Sequence, residues 1–179
     1  PVCGASRASL MTGLYPTAGR FLSYATRADR DAQVAANLPE VLRAGGYTTV
    51  SLGKVFHHAD DAAERSWSRP PWSPAADPLT DMLDPASARW RSERGRGPLL
   101  EAADVPDDAY WDGQLAARAR AELARLSGEG RPFFLACGFF RPHLPFYAPK
   151  RFWDLYNRAS LPLASNRFRP RDAPPGLRG

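Results

Sequence analysis

The sequence predicts an α/β fold in which a mostly parallel sheet is flanked by helices. Two observations carry this prediction: a helix followed directly by a strand over residues 38–52, and an uninterrupted apolar run that starts at Pro132. An apolar run without polar alternation is typical of a strand covered on both faces, as strands of parallel sheets are. We therefore expect strands near 47–52 and 132–138 to lie in one sheet, with ligands bound beyond their carboxyl ends.

The helix–strand unit is predicted from the residues at its boundaries. Asn37 and Glu40 have the spacing of a capping box, and Pro39 suits the first helical turn, where its missing N–H would have no partner. We expect this helix to cover 38–44 and to end at the glycine pair that follows it. The next segment, YTTVSL, is rich in β-branched and aromatic residues and predicts the strand 47–52.

A longer helix is predicted over 109–126, with Asp107 or Asp108 as its N-cap and Gly128 at its end. Its apolar residues recur at helical spacing, with arginines on the opposite face, so we expect one buried face. The residues expected on that face are Leu115, Ala119, Leu123 and Leu126.

The rest of the chain is less regular. The segment 59–106 has no periodicity and is rich in proline and tryptophan, so we expect a long, loop-rich insertion over the surface. Short helices are expected over 7–14 and 149–156. Cys137 lies within the apolar run and is expected to be an inert core residue. The length suits one domain or a large part of one.

Composition excludes several classes of protein. Hydrophobic residues at 44% and charged residues at 24% fit a globular chain and exclude wholesale disorder. No apolar run reaches the roughly 18 residues that a membrane span needs. The net charge of +5 comes from 22 Arg and 2 Lys interspersed with acidic residues and prolines, which predicts a solvated basic surface and no nucleic-acid partner.

The first residues contain a candidate nucleophile. Cys3 stands at the start of a small-residue-rich segment, four residues before Arg7, and a helix N-terminus beside a cation favours a thiolate. Lys54 stands out because arginine fills almost every other basic position. It follows Gly53 at the end of the predicted strand, where a compact ammonium could fit and a planar guanidinium could not.

Several segments together resemble the type I, formylglycine-dependent sulfatases. The string C-G-A-S-R at 3–7, followed by L-M-T-G and Y-P, is similar to the family signature around the modified cysteine, with Ala5 where most members have proline. The strings G-K-V-F-H at 53–57 and R-P-H-L-P-F at 141–146 resemble the iduronate-2-sulfatase branch, as does S-W-S-R-P-P at 66–71.

The resemblance implies an alkaline-phosphatase-like fold, of which this chain would be a central part, and a sulfuric ester hydrolase activity. It implies that Cys3 is oxidised to formylglycine, whose hydrate has one hydroxyl to attack sulfur and another to expel sulfate. Arg7 would stabilise the hydrate, and Lys54 would hold a sulfate oxygen as a point charge. His57 would take the diol proton, while His143 would contact sulfate and protonate the leaving alcohol.

The resemblance also implies one divalent cation, usually calcium, held by acidic residues upstream of the signature cysteine and by others far downstream. Modified Cys3 is the ligand expected within this chain. The acidic pairs at 60–61 and 107–108 are expected not to bind metal. His58 lies outside the motif and is expected to be exposed, and Lys150 is expected to be a surface residue at a helix start.

The implied partners are a sulfated small molecule or glycan and the formylglycine-generating enzyme, and the implied location is exported or lysosomal. Two alternatives stay open. A phosphonate or phosphate monoester hydrolase of the same superfamily would act on a group of the same tetrahedral shape. An inactive fragment would only bind anionic glycans, and unmodified Cys3 would favour it.

Overall fold

The structure is a computed structural model that describes residues 2–32, 36–166, 168–169 and 171–173. The α-helices are α1 (Cys3–Thr12), α2 (Ala28–Asp31), α3 (Leu38–Ala44), α4 (Ala63–Ser66), α5 (Pro85–Arg94), α6 (Trp111–Gly128) and α7 (Lys150–Trp153). The strands are β1 (Thr48–Gly53), β2 (Leu100–Glu101), β3 (Phe133–Gly138) and β4 (Phe146–Tyr147), and a 3-10 turn covers Arg158–Ser160.

The two predicted strands lie in one parallel sheet, which confirms the predicted fold class. β1 pairs with β3 in parallel from Thr48 opposite Phe133 to Gly53 opposite Gly138. The other edge of β1 is covered by the chain after α4, whose Trp72 N–H donates to the carbonyl of Ser51 at 3.1 Å. Both edges of β1 are therefore hydrogen-bonded. Strands β2 and β4 form a second, shorter parallel pair.

Each face of this sheet has its own apolar core. On one face α6 covers β1, and Leu115 and Leu126 are fully buried against Val50 and Leu52. On the other face α1 and the chain after β1 pack small and aromatic residues together. The buried members of this second core include Ala5, Ala8, Met11, Val55, Phe56, Trp67 and Ala136. The sheet therefore has an apolar core on each face, one formed with α6 and the other with α1.

The capping box of α3 is present as predicted. The Asn37 side chain accepts a hydrogen bond from the Glu40 backbone N–H at 2.9 Å, and the Glu40 carboxylate accepts one from the Asn37 N–H at 3.3 Å. Pro39 stands within the first turn. Asn37 is fully buried and also accepts from the Ser66 hydroxyl at 3.1 Å. The cap therefore joins α3 to the end of α4 as well as starting the helix.

Two expectations for α6 are wrong. Asp107 and Asp108 do not cap it: the N-cap is Tyr110, which makes no side-chain capping bond. Leu123 is 49% exposed, whereas Glu122 beside it is buried. Glu122 can be buried in place of Leu123 because Arg69 and Arg125 both pair with its carboxylate.

The expectation that Cys137 is a core residue is also wrong. Cys137 is an exposed free cysteine, and most of β3 is only partly buried. The physical reason is the position of β3 at the edge of the described sheet, where β1 is its one hydrogen-bonded neighbour among the residues described. The neighbouring Leu52, in register with Cys137, is buried because Leu115 packs against its strand.

The segment 59–106 contains regular structure that its composition does not suggest. It holds α4, α5 and β2. Helix α5 begins after Asp84, whose side chain accepts from the Ala86 N–H at 2.7 Å, and it ends at Gly95 with φ 71°. Within the part of the chain that the structure describes, none of these helices is long and apolar enough to cross a membrane.

Candidate active site

The candidate site lies where β1 and β3 end, beside the start of α1. Lys54 follows the last residue of β1, and the loop to His143 follows the last residue of β3. Cys3 is the first residue of α1, so the partial positive charge of that helix end lies next to it. The sheet therefore places its strand ends where an α/β fold is expected to bind a ligand.

Two glycines allow the strand ends to approach each other closely. Gly53 has φ 72°, a left-handed backbone that other residues rarely adopt. A Cβ on Gly138 would lie 2.0 Å from the carbonyl oxygen of Lys54, which is closer than any real contact. The Lys54 N–H donates to the Gly138 carbonyl at 2.7 Å, so the two loops begin from one fixed backbone pair.

Arg7 joins α1 to the loop that follows β1. Its Nη1 donates to the carbonyl oxygen of Lys54 and, at 2.9 Å, to that of Val55. Burial lowers the pKa of Arg7, while the electrostatic interaction with Cys3 acts in the opposite direction. Cys3 is a half-buried free cysteine. Arg7 thus has a positioning contact that the sequence did not predict, in addition to its place near Cys3.

The Lys54 ammonium lies over an aromatic ring. Its Nζ is 4.5 Å from the centroid of Phe140, in cation–π geometry, and the structure describes no carboxylate that pairs with it. Burial lowers the pKa of Lys54; the interaction with Cys3 raises it, and the charge of Arg7 lowers it. A partly desolvated ammonium without an anionic partner is suited to bind an anion.

The surroundings of His57 favour its neutral form. Burial is the main cause that lowers its pKa, followed by the charges of Lys54, His58, Arg7 and His143. Its Nδ1 is buried and has no hydrogen-bond partner in the structure. A neutral imidazole with a free buried nitrogen can accept a proton from a group bound beside it.

The expectation that His58 is exposed is wrong. His58 is half-buried, its ring contacts that of His57 edge to face at 4.8 Å, and its Nε2 is buried without a hydrogen-bond partner. The reason is that the chain bends after Phe56. Both imidazoles are therefore half-buried, whereas in an extended strand they would point to opposite faces. No residue pattern in the sequence distinguishes this bend from an exposed loop.

His143 stands on the loop after β3. Its Nδ1 is 2.6 Å from the carbonyl oxygen of Leu144, and its ring lies 4.8 Å from that of Phe140. Because a carbonyl oxygen only accepts, Nδ1 carries the proton, and Nε2 is the nitrogen left to face a ligand. Phe140 therefore touches both Lys54 and His143, a role that the sequence did not predict, although its place after the apolar strand was visible.

The acidic pair at 60–61 makes structural contacts. Asp61 is buried and accepts from the backbone N–H groups of Ala28 and Asp29 at 2.8 and 3.0 Å. Asp60 pairs with Arg27 at 2.9 Å. Across residues 2–32, 36–166, 168–169 and 171–173, no group of three or more His, Cys, Asp or Glu side chains could hold a metal ion. The described residues by themselves therefore do not form a metal site.

Comparison with known proteins gives one consistent family. The family model described as Sulfatase matches residues 1–172. Iduronate 2-sulfatase of Mus musculus and that of Homo sapiens are each 31% identical to the chain over 180 residues, which is 97% of the chain and 32% of the relative. A sulfatase of Formosa agariphila is 31% identical over 90% of the chain and 34% of its own length. The chain thus spans about a third of the length of these relatives.

Proposed function

This chain belongs to the sulfatase family, and from that premise we propose that it carries the anion-binding and proton-transfer side chains of a sulfuric ester hydrolase. The observation that carries the proposal is a set of two cationic side chains and two imidazoles: both cations interact electrostatically with Cys3, and one imidazole interacts with both cations and with the other imidazole. The four are Arg7, Lys54, His57 and His143. Such a set favours a dianionic or monoanionic tetrahedral group over a cation.

We propose that Cys3 is converted to formylglycine, which when hydrated supplies two hydroxyls on one carbon, one to attack sulfur and one to expel the sulfate. The surroundings of Cys3 support this proposal, because the cations Arg7 and Lys54 both interact electrostatically with it. The start of α1 adds two further advantages: its free N–H groups favour negative charge, and Arg7 fixes the helix against the loop after β1.

Lys54 is proposed to hold a sulfuryl oxygen. Its ammonium faces no carboxylate among the described residues, and the Phe140 ring below it restricts the directions in which it can point. The charge on the sulfuryl oxygens grows as the ester bond breaks, so a fixed ammonium there stabilises the transition state more than the ground state.

The two imidazoles are proposed to have opposite roles. His57 is kept neutral by burial and by neighbouring positive charge, so it can take a proton from a hydroxyl at residue 3. His143 holds its Nδ1 proton on the Leu144 carbonyl, which leaves Nε2 to contact sulfate and, when protonated, to give its proton to the leaving alcohol. The electron pair of the broken S–O bond stays on the alcohol oxygen, which takes that proton.

The sulfatase family implies one divalent cation close to the modified cysteine. Modified Cys3 is the one residue here proposed as its ligand, and the described residues supply no further set of ligands around it. Calcium is the cation proposed, because oxygen-rich ligation suits a hard ion. None of the roles proposed here for Arg7, Lys54, His57 and His143 requires the cation.

The substrate is proposed to be a sulfate ester on a carbohydrate or a similar small molecule, by similarity to the two iduronate 2-sulfatases. The formylglycine-generating enzyme is the proposed modifying partner, and an exported or lysosomal location is proposed on the same basis. We further propose that residues 1–179 are part of one catalytic domain, in which 59–106 form an insertion over the surface.

The proposed function is tested by assaying the complete protein, coexpressed with a formylglycine-generating enzyme, on an aryl sulfate and on the matching aryl phosphate. We expect turnover of the sulfate to exceed that of the phosphate, and Cys3→Ala to abolish it. Faster turnover of the phosphate would support the alternative hydrolase of the same superfamily. Tight binding of a sulfated glycan without turnover of either ester would support a protein that only binds anions.

A further inference from the structure

The first turn of α6 lies directly against the loop that carries His143. The Asp112 carboxylate accepts hydrogen bonds from two consecutive backbone N–H groups of that loop: Oδ1 from Phe140 at 2.7 Å and Oδ2 from Arg141 at 2.9 Å. Asp112 is half-buried. Hydrogen bonds to an ionised carboxylate are about twice as strong as neutral ones, so this contact fixes the backbone where β3 ends.

The residue fixed in this way touches two members of the candidate site. The Phe140 ring is 4.5 Å from the Lys54 ammonium and 4.8 Å from the His143 ring. Its other side packs edge to face on Trp111, with centroids 6.0 Å apart, and Trp111 is buried in the core between α6 and β1. The His143 N–H also donates to the Phe140 carbonyl at 3.1 Å.

We propose that Asp112 is a positioning residue of this site: its carboxylate holds the backbone of residues 140–141 so that the Phe140 ring sets the directions of both Lys54 and His143. Asp112 touches neither of these side chains in the contacts that the structure describes. It acts through Phe140. The inference rests on the proposed function, because Lys54 and His143 are themselves proposed to act on the sulfate ester.

A simpler role for Asp112 would be to stabilise α6, since an acidic residue in the first turn interacts favourably with the helix dipole. That role does not require either oxygen to face a neighbouring loop. Here both oxygens accept hydrogen bonds from the loop after β3. These bonds hold the Phe140 backbone in the position from which its ring contacts Lys54 and His143. The two roles predict different behaviour when Asp112 and Phe140 are changed together.

The experiment is a double-mutant cycle in the complete protein with Asp112→Asn and Phe140→Leu. Asp112→Asn keeps the size of the side chain but replaces one acceptor with a donor that faces a backbone N–H. Phe140→Leu keeps an apolar side chain and leaves both hydrogen bonds of Asp112 in place, but removes the ring. We expect each change to lower kcat on an aryl sulfate by about 10- to 100-fold with a smaller effect on KM.

The double variant distinguishes positioning from simple stabilisation. If Asp112 acts through Phe140, the loss in kcat of the double variant should be close to that of either single variant. Multiplied losses would overturn the proposal. Asp108→Asn is the matched control, because Asp108 is an exposed aspartate close to the start of α6 and should leave kcat unchanged.

Hydrogen exchange supplies a readout independent of activity. Asp112→Asn should speed the exchange of the Phe140 and Arg141 amides, and the Asp108→Asn control should not. If the parent protein fails to hydrolyse sulfate esters, the proposed function fails while this exchange still tests whether Asp112 holds the loop. Unchanged exchange, or faster exchange with kcat equal to that of the parent, would overturn the positioning role.

Discussion

At the scale of single residues, Lys54 is the most informative side chain, because the chain uses arginine at 22 of its 24 Lys and Arg positions. The structure gives a reason for a lysine here. The ammonium stands over Phe140, and the Lys54 carbonyl is held by Arg7, so we expect a compact point charge to suit this place better than a planar guanidinium.

We therefore predict that Lys54→Ala lowers kcat on a sulfate ester by about 10²–10³, the usual loss when one donor to developing charge is removed. Lys54→Arg should restore little of this rate, since its planar fork must displace either Phe140 or the substrate. Steady-state kinetics on an aryl sulfate measure both variants. An arginine variant as active as the parent would contradict the point-charge role of Lys54.

His57 gives a prediction about pH. Burial, and then the charge of Lys54, lower its pKa below the ordinary value of 6.5. Below about pH 6.5 the unfolded chain therefore protonates His57 more readily than the folded protein does. Protonation then favours the unfolded state, so the free energy of unfolding falls as pH falls below about 6.5. Lys54→Met removes the second cause, so the pKa of His57 should rise toward 6.5.

The titration of the His57 ring followed by NMR measures this shift without depending on activity. Lys150→Met is the control, because Lys150 is an exposed lysine paired with Asp154 and makes no contact with the site among the described residues. A His57 pKa that does not move in Lys54→Met, or that moves equally in both variants, would show that Lys54 does not face His57.

Short motifs in the sequence predicted the candidate residues of this site, and in the structure Lys54 interacts with Cys3 and Arg7, while His57 interacts with Lys54, Arg7 and His143. The sequence could not identify Phe140 or Asp112. Phe140 is one apolar residue among several after β3, and Asp112 reads as an ordinary acidic residue in a first helical turn. Their contacts depend on how α6 crosses the end of the sheet, which local sequence does not encode.

At the scale of secondary-structure elements, the junction of β1 and β3 depends on two glycines. A Cβ on Gly138 would be 2.0 Å from the Lys54 oxygen and 2.8 Å from the Val55 nitrogen, both backbone atoms that cannot move freely. We predict that Gly138→Ala lowers the free energy of unfolding by about 1–3 kcal/mol, the usual cost of overpacking, and lowers activity because Lys54 is displaced.

Gly128→Ala is the matched control for this prediction. Gly128 is the last residue of α6, and a Cβ there would meet nothing within 4 Å, so the change should be neutral or slightly stabilising. Urea unfolding of the parent and the two variants measures the difference. Equal stabilities for Gly138→Ala and Gly128→Ala would contradict the close approach of the strands.

Glu122 tests the unexpected face of α6. Its burial would raise the pKa of the carboxyl, but hydrogen bonds from Arg125 and Arg69 outweigh burial and hold the pKa below its usual range. Glu122→Gln should lower the free energy of unfolding by about 1–3 kcal/mol, because the buried side chain loses the charge that holds the Arg69 and Arg125 guanidinium groups. Leu123→Gln, at a residue that is 49% exposed, should change it by less than about 0.5 kcal/mol.

Thermal or urea unfolding distinguishes these two variants. If Leu123→Gln costs more than Glu122→Gln, the apolar face inferred from the sequence is the true one and the arginine cluster is incidental. The sequence failed here because helical periodicity ranks leucine above glutamate for burial. It takes no account of arginines from a distant segment that can satisfy a buried carboxylate.

Most elements were predictable where strong boundary signals exist. The capping box of α3, the strand after it and the apolar β3 all lie within a residue or two of their predicted places. Helix α5 has an equally good N-cap at Asp84 and a glycine at its C-terminus. It was not predicted because its polar residues show no apolar periodicity. The burial of β3 could not be predicted, because it depends on which strands lie beside it.

At the scale of the whole molecule, the fold and the family agree. The family match over residues 1–172 and the parallel pairing of β1 with β3 identify part of an alkaline-phosphatase-like fold. The chain carries a net charge of +5, and its candidate site contains the cations Arg7 and Lys54, so both long-range and local electrostatics favour an anion over a cation there.

The most direct test of this assignment is the mass of the peptide that contains Cys3, measured after coexpression of the complete protein with a formylglycine-generating enzyme. The peptide that contains Cys137 is an internal control, since Cys137 is more exposed than Cys3 but lacks the surrounding motif. We predict the mass change from thiol to aldehyde at Cys3 and an unchanged thiol at Cys137. An unmodified Cys3, or the same change at both cysteines, would contradict a formylglycine-dependent sulfatase.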